Sequence, residues 1–188
     1  MIDKLLKYDT ELFLFLNNLG SETWDGLWLI ITNKIYFGGL LGIILFTLLY
    51  KKFGLKALLI LIVVTALMIA FTDQMTNVFK RGFERPRPCG ETDLFDKMRF
   101  IAIRCGKFGF FSGHASNSMA VAIFGGLLLR PYFKNLIYLL VSISLIVAYS
   151  RIYLGVHYPL DIFCGLIFGS ISGFVFHKLA FYLLSKFN

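Results

Sequence analysis

Residues 55–78 read LKALLILIVVTALMIAFTDQMTNV, an apolar run that decides the class of this protein. A helix needs about 20 such residues to cross the hydrocarbon core of a bilayer. The remainder of the chain has the same character, since 57% of its 188 residues are hydrophobic and 21 are phenylalanine. An ordinary soluble domain has a smaller apolar share. The sequence therefore predicts an integral membrane protein with a single domain, residues 1–188.

Four further apolar runs predict additional membrane-spanning helices. They are Ile35–Tyr50, Gly113–Leu129, Leu136–Tyr149 and Pro159–Leu184. The stretch from Glu11 to Asn33 is less clear, because several polar residues interrupt it. By its own composition it is a first span, a re-entrant segment or an interfacial helix.

The positions of the basic residues favour a spanning role for this first stretch. Lysine and arginine cluster in two short connections and at the C-terminal end, and the positive-inside rule places all three clusters in the cytoplasm. The clusters are Lys51, Lys52 and Lys56; Arg130 and Lys134; and Lys178 and Lys186. If Lys4 and Lys7 are cytoplasmic too, the number of crossings is even. We therefore expect an all-α membrane protein, a polytopic bundle of about six transmembrane helices, in which the long connection Lys80–Phe111 faces outward.

The formal net charge of +8 does not indicate a nucleic-acid-binding protein. The basic residues lie between apolar runs, and no basic arm or tail is present. Anionic lipid headgroups and a phosphorylated substrate explain this charge better. The partners that we expect are thus the lipid bilayer and a membrane lipid phosphate, with no obligatory protein partner evident.

Lys80–Pro88 reads KRGFERPRP and brings four cations to the end of a predicted span. Its two prolines hold the backbone extended, so that the segment can wrap around an anion. A cluster that only meets lipid headgroups explains the same residues equally well. We assign no function to Arg81 or Arg85, which meet headgroups or pair with acids such as Glu84.

Two later segments carry histidines at the beginnings of predicted helices. Phe111–Ser116 reads FSGHAS, in which Ser112 is a good N-cap and Gly113 lets backbone N–H groups approach an anion. Alone, this segment is better explained as an ordinary capped helix with an interfacial histidine. Ser150–Asp161 reads SRIYLGVHYPLD, and a proline in the first helical turn places His157 just ahead of the helix, on the same side as Asp161. A carboxylate in that position holds a histidine in one tautomer, as a nucleophile or base requires.

Together the three segments resemble the signatures of the type-2 phosphatidic acid phosphatases. Those signatures are Lys-x6-Arg-Pro, then Pro-Ser-Gly-His, then Ser-Arg-x5-His-x3-Asp. The matching residues are Lys80, Arg87 and Pro88; Ser112, Gly113 and His114; and Ser150, Arg151, His157 and Asp161. Phe111 stands where the family has proline, a difference that bears on the shape of the loop.

The resemblance implies a phosphatase with an active-site core at residues 80–161, at the outer membrane–water interface. His157 is the expected nucleophile, with Asp161 behind it, and His114 is the expected general acid and base. The residues expected to bind phosphate are Lys80, Arg87, Ser112, Gly113 and Arg151. We expect no cofactor and no metal, since the sequence has no His or Cys cluster at ligand spacing.

The cysteines leave a choice open. Cys89 and Cys105 lie in the outward loop, where they are either bridged, as an oxidising compartment permits, or two free thiols. Cys164 falls within the last span and is expected to be a packing residue. The third histidine, His177, is most simply an interfacial residue of the last helix.

The substrate and the acceptor also stay open at this level. Members of the family act on undecaprenyl diphosphate, phosphatidylglycerol phosphate, phosphatidic acid and lipid A. An outward-facing site in a bacterial inner membrane favours the first two, with lipid A next. A phosphotransferase that uses a second lipid as acceptor has the same constellation, as do vanadate-binding haloperoxidases, which are soluble. A non-catalytic lipid carrier or flippase would explain the arginines but not the two histidines and the aspartate at signature spacing.

Overall fold

The computed structural model describes residues 2–187, which form six α-helices and no β-strand. The helices are α1 Ile2–Asn18, α2 Glu22–Ile31, α3 Gly39–Phe83, α4 Gly113–Leu129, α5 Leu136–Tyr153 and α6 Pro159–Phe187. A π-helical turn, Lys34–Gly38, precedes α3, and two short 3₁₀ turns lie in the connection to α4. The expected all-helical architecture is confirmed.

The long helix α3 contains two of the predicted spans and reverses at Gly54. This glycine has φ +78° and ψ 177°, a backbone conformation that residues with a Cβ rarely adopt. Thr32, ahead of α3, bonds to Arg151 at the end of the bundle that carries His157, here called the His157 end. At the opposite end, the Phe53 and Tyr132 rings pack with centroids 5.6 Å apart. The two limbs of α3 therefore run antiparallel between these ends.

Close packing of α6 against α4 holds the first turn of α4 beside the first turn of α6. Glycines 165, 169 and 173 form a stripe on α6 where the backbone of α4 approaches. A Cβ on Gly169 would lie 2.3 Å from the Ser116 carbonyl oxygen. Small residues at this spacing are typical of helix pairs that pack closely in membranes. The histidine segments of both helices are thereby brought to the same end.

The N-terminal stretch differs from the expected single span. The chain breaks between Asn18 and Glu22, and polar side chains on both sides of the break bind loops at the His157 end. Asn17 donates to the Ile152 carbonyl at 3.0 Å and accepts from the Arg99 N–H at 2.7 Å. Asp25 accepts two hydrogen bonds from Arg99, at 2.9 and 3.0 Å. These polar residues, which weaken the stretch as a span, are the contacts that hold α1 and α2 on the His157 end.

This arrangement corrects the position expected for Lys4 and Lys7. They lie on α1, whose Asp9 accepts a hydrogen bond of 2.8 Å from the N–H of Leu160, at the start of α6. They are therefore at the His157 end, and not with Lys52 at the other. Three helices are long and apolar enough to cross a membrane, residues 34–83, 136–153 and 159–186, and α4 is a shorter apolar helix. The five apolar runs predicted from the sequence lie on these elements, two of them on the limbs of α3.

Candidate active site

His157 and Asp161 face each other across the beginning of α6. Pro159 is the first residue of α6, as its sequence position predicts, so His157 lies in the connection just before it. The Nδ1 atom of His157 is 3.2 Å from Oδ2 of Asp161, and the same oxygen accepts from the N–H of Tyr158 at 3.1 Å. Both side chains are buried. With Nδ1 bonded to the carboxylate, Nε2 is the ring nitrogen left to react.

Three cations surround the imidazole. Burial lowers the pKa of His157 well below its usual 6.5, and the positive charges of Arg87, Arg151 and Lys80 lower it further. A hydrogen bond with the backbone of Gly109 opposes this shift. The structure thus brings the three cations that the sequence singles out near a histidine, whose neutral form their charges favour.

Each cation is supplied by a different element. Lys80 lies in the last turn of α3, Arg151 in the last turn of α5, and Arg87 in the connection between α3 and α4. The Nε atom of Arg87 donates to the Phe108 carbonyl at 3.0 Å. The Nε atom of Arg151 is buried and has no hydrogen-bond partner within residues 2–187. A buried donor of this kind calls for an acceptor, and an oxygen of a bound phosphate would provide one.

The first turn of α4 completes the site. Ser112 caps the helix, since its Oγ atom accepts from the N–H of Ala115 at 3.5 Å, as its position predicts. Its own N–H donates to the Asp161 carbonyl oxygen at 3.0 Å. A Cβ built on Gly113 would lie 3.9 Å from the Lys80 ammonium, so this helix N-terminus lies beside a cation that the sequence predicts to bind phosphate. His114 follows, and its ring hydrogen-bonds to the backbone of Thr32.

Sequence reasoning missed two residues of this site, Arg85 and Thr32. The pairing expected with an acid such as Glu84 is made instead with two others: Arg85 donates to Oδ1 of Asp161 at 2.9 Å and to Oδ2 of Asp9 at 2.6 Å. Thr32 bonds to both Arg151 and His114. No spacing pattern links these residues, because their partners are brought near only by the folded chain.

The loop between α3 and α4 is closed by a disulfide. Cys89 and Cys105 are bonded, with their Cα atoms 6.0 Å apart, whereas Cys164 is a free thiol on α6. The bridge begins two residues after Arg87. Phe111, the residue that departs from the family pattern, is buried and packs against Phe79 and Phe168, with ring centroids 5.1 and 5.0 Å away.

Gly109 leaves room for the pair of His157 and Asp161. A Cβ at this position would lie 2.9 Å from Oδ2 of Asp161 and 3.6 Å from Nδ1 of His157. We expect Gly109→Ala to lower kcat/KM on the order of 10²-fold, because displacing reacting groups by about 1 Å has effects of that size. Steady-state assays in detergent measure the change.

Gly90→Ala in the same loop is the matched control, since a Cβ on Gly90 has no neighbour within 4 Å. It should retain the activity of the unchanged protein. Equal activity of both variants would show that the carboxylate and imidazole tolerate displacement.

Comparisons with known proteins agree with this geometry. The sequence profile of the PAP2 superfamily matches residues 56–185. A lipid A 4′-phosphatase of Bacteroides thetaiotaomicron is 36% identical over 189 residues, which cover 99% of this chain and 83% of that protein. A lipid A 4′-phosphatase of Porphyromonas gingivalis is 34% identical over 187 residues, covering 98% and 78%.

Two solved structures share the fold. Aquifex aeolicus LpxE superposes with a TM-score of 0.70 at 24% identity, covering 90% of this chain and 94% of that one. The PAP2-type phosphatidylglycerolphosphate phosphatase of Bacillus subtilis superposes with a TM-score of 0.73 at 19% identity, covering 94% and 86%. The expected class, an integral membrane lipid phosphatase, is thereby confirmed. The chain belongs to the PAP2 superfamily.

Proposed function

We propose that this protein hydrolyses the 4′-phosphate of lipid A or of a closely similar membrane glycolipid, through a phosphohistidine on His157. The substrate is inferred from the two lipid A 4′-phosphatases, whose sequences align with almost the whole chain. These relatives favour lipid A over undecaprenyl diphosphate and phosphatidylglycerol phosphate. Their alignment extends over α1 and α2, elements outside the family profile at residues 56–185.

The proposed chemistry has two steps. In the first, Nε2 of His157 attacks phosphorus, the bond from phosphorus to the lipid oxygen breaks, and His114 gives that oxygen a proton. In the second, water attacks the phosphorus while His114 takes its proton, the bond from phosphorus to Nε2 of His157 breaks, and inorganic phosphate leaves. Lys80, Arg87 and Arg151 neutralise the phosphate oxygens throughout, together with the Ser112 and Gly113 turn.

The charge arrangement supports a mechanism without a metal. Three cations surround His157, and residues 2–187 contain no group of three or more His, Cys, Asp or Glu side chains placed to hold an ion. The side chains of Lys80, Arg87 and Arg151 thus neutralise the charge of the phosphate, as a divalent ion does in other phosphatases. Activity should persist in excess chelator.

A panel of purified lipids tests the substrate. Lipid A with phosphates at positions 1 and 4′, phosphatidic acid, phosphatidylglycerol phosphate and undecaprenyl diphosphate are incubated with the protein in detergent containing chelator. Released phosphate gives kcat/KM, and mass spectrometry locates the phosphate lost from lipid A. We expect lipid A to have the highest kcat/KM and to lose only its 4′-phosphate.

His157→Ala is the control for contaminating phosphatases. Removal of the 1-phosphate, or a higher kcat/KM on another lipid of the panel, would contradict the proposed substrate. Loss of activity in chelator with recovery on adding a divalent ion would contradict the metal-free mechanism.

We further propose that the His157 end faces the periplasm or exterior of a bacterial inner membrane. The basic connections with Lys52 and Arg130 lie at the other end, where the positive-inside rule puts the cytoplasm. In a variant without the native cysteines, Asp93→Cys and Lys4→Cys should both react with an impermeant thiol reagent added outside, and Lys52→Cys should not. Labelling of Lys52→Cys alone would reverse the orientation.

A further inference from the structure

We propose that Asp9 and Arg85 are positioning residues for the nucleophile, which act on His157 through Asp161. The inference rests on the proposed role of His157, and it adds a residue of α1 to those that support catalysis. A continuous series of side-chain contacts carries it: Asp9 to Arg85 at 2.6 Å, Arg85 to Asp161 at 2.9 Å, and Asp161 to His157 at 3.2 Å.

The two oxygens of Asp161 have separate tasks. Oδ2 accepts from His157 and from the Tyr158 N–H, whereas Oδ1 accepts from Arg85. The Asp161 side chain has 0% exposure, so an unpaired oxygen there would bear the full cost of desolvation. Arg85 is therefore the group that keeps the far oxygen of Asp161 satisfied while the near oxygen holds the imidazole.

Arg85 is itself held from two directions. Its guanidinium carbon lies 4.2 Å from the centroid of the Tyr158 ring, and its second amino group bonds to Asp9. The Arg85 and Asp9 side chains are 15% and 5% exposed. A guanidinium with its two ends on two carboxylates and its face on an aromatic ring has little freedom to rotate. Its orientation fixes that of Asp161.

Asp9 also binds the backbone of the helix that carries Asp161. Its Oδ1 atom accepts from the N–H of Leu160 at 2.8 Å, one of the N–H groups left without a partner at a helix start. A carboxylate is favoured at this position by the helix dipole. Through its two oxygens, Asp9 thus ties Arg85 to the first turn of α6, immediately beside Asp161.

The chemical consequence lies in the protonation and direction of His157. Attack requires Nε2 to be unprotonated and aimed at phosphorus, which the bond from Nδ1 to Asp161 ensures. If Arg85 is lost, the buried Asp161 carboxyl takes up a proton or rotates to find another donor, and either change releases the imidazole. The loss of activity should appear in kcat rather than in KM. Arg85 contacts two carboxylates and a tyrosine ring and is not one of the residues proposed to bind the phosphate.

The test compares Asp9→Asn and Arg85→Gln with two control variants. Glu11→Gln removes a charge from the same helix, at a residue whose side chain is 57% exposed and whose ion pair with Lys7 spans 4.0 Å. Arg81→Gln removes an exposed arginine four residues before Arg85. We expect kcat to fall about 10- to 100-fold in each test variant, the usual effect of losing a partner that orients a reacting group, with KM within about threefold. The controls should keep both constants.

Two further variants separate positioning from simple destabilisation. The double variant Asp9→Asn, Arg85→Gln should be no slower than the slower single variant, because both residues act on one carboxylate. Arg85→Lys keeps the charge and should recover part of kcat. Melting temperatures in detergent give the folded fraction, and if Arg85→Gln fails to fold, Asp9→Asn decides.

The outcomes distinguish this inference from the proposed function. Unchanged kcat in folded Asp9→Asn and Arg85→Gln would overturn the inference, as would a raised KM at constant kcat. If Arg85→Gln does not fold, unchanged kcat in Asp9→Asn alone overturns it. In each case an inactive His157→Ala variant would leave the proposed function in place. Substantial activity in His157→Ala would instead remove the proposed nucleophile, and with it the role given to Asp9 and Arg85.

Discussion

His157→Ala is expected to abolish turnover of every phosphate ester that the protein accepts, by at least about 10⁴-fold. The residue is the proposed nucleophile, and no property of the leaving group can replace a nucleophile that is missing. Rates on the lipid substrate and on nitrophenyl phosphate should therefore both fall to the background. The protein contains three histidines, and His177, near the far end of α6, provides the matched control. His177→Ala should retain turnover of both substrates per folded molecule.

The pKa of His157 gives a second test of its role as the nucleophile. Burial and the surrounding cations hold its pKa well below 6.5, so the neutral form needed for attack is present throughout the neutral range. Activity is lost only when pH falls through that lowered pKa. The acid limb of kcat/KM should then have its midpoint below pH 6.5. Residual activity in His157→Ala, or an acid limb above pH 6.5, would contradict the proposed covalent step.

The sequence predicted the positions of those site residues whose contacts are with residues nearby in the chain. His157 and Asp161 are four residues apart, and Pro159 fixes where α6 begins between them. Ser112 likewise caps a helix that begins at the next residue. In such cases the helix start alone determines which side chains meet. The spacing of the two histidine signatures therefore predicted which side chains lie at these two helix starts, while their roles in catalysis stay a proposal.

The residues that sequence could not place depend on contacts between distant segments. Asp9 and Arg85 are 76 residues apart, and Thr32 and Arg151 are 119 apart. Their importance comes from partners buried on other elements, which no periodicity reports. Arg85 illustrates the difficulty, since a basic residue beside a membrane is ordinarily explained by headgroups.

The N-terminal helices show a different limit. The argument from charge used Lys4 and Lys7 as markers of the cytoplasm, which required the next stretch to cross the membrane. The structure instead gives Asn17 a hydrogen-bond partner in the last turn of α5 and Asp25 a partner, Arg99, in the connection between α3 and α4. A hydropathy pattern scores such residues only as unfavourable in lipid. It cannot show which groups of the folded chain they will form hydrogen bonds with.

Loss of His114 is expected to depend on the leaving group, which separates its role from that of His157. A lipid alkoxide needs a proton as it departs, whereas nitrophenolate is stable enough to leave without one. His114→Ala should therefore lose on the order of 10² to 10⁴ in kcat/KM on the lipid, the range that general acids usually contribute, and much less on nitrophenyl phosphate. Parallel assays of both substrates give the ratio, after wild-type turnover of the small ester has been shown.

The position of His114 explains why a general acid is the role to test. It follows the Ser112–Gly113 turn in the first turn of α4, and its ring is held by the backbone of Thr32. The charges of His157 and Arg151 act on the His114 ring, so the two histidines lie within electrostatic reach of each other. An ionisable ring in reach of the nucleophile is a candidate to protonate the leaving oxygen. Equal losses on both substrates would assign His114 to phosphate binding or to water activation instead, because neither of those tasks depends on how well the leaving group bears its charge.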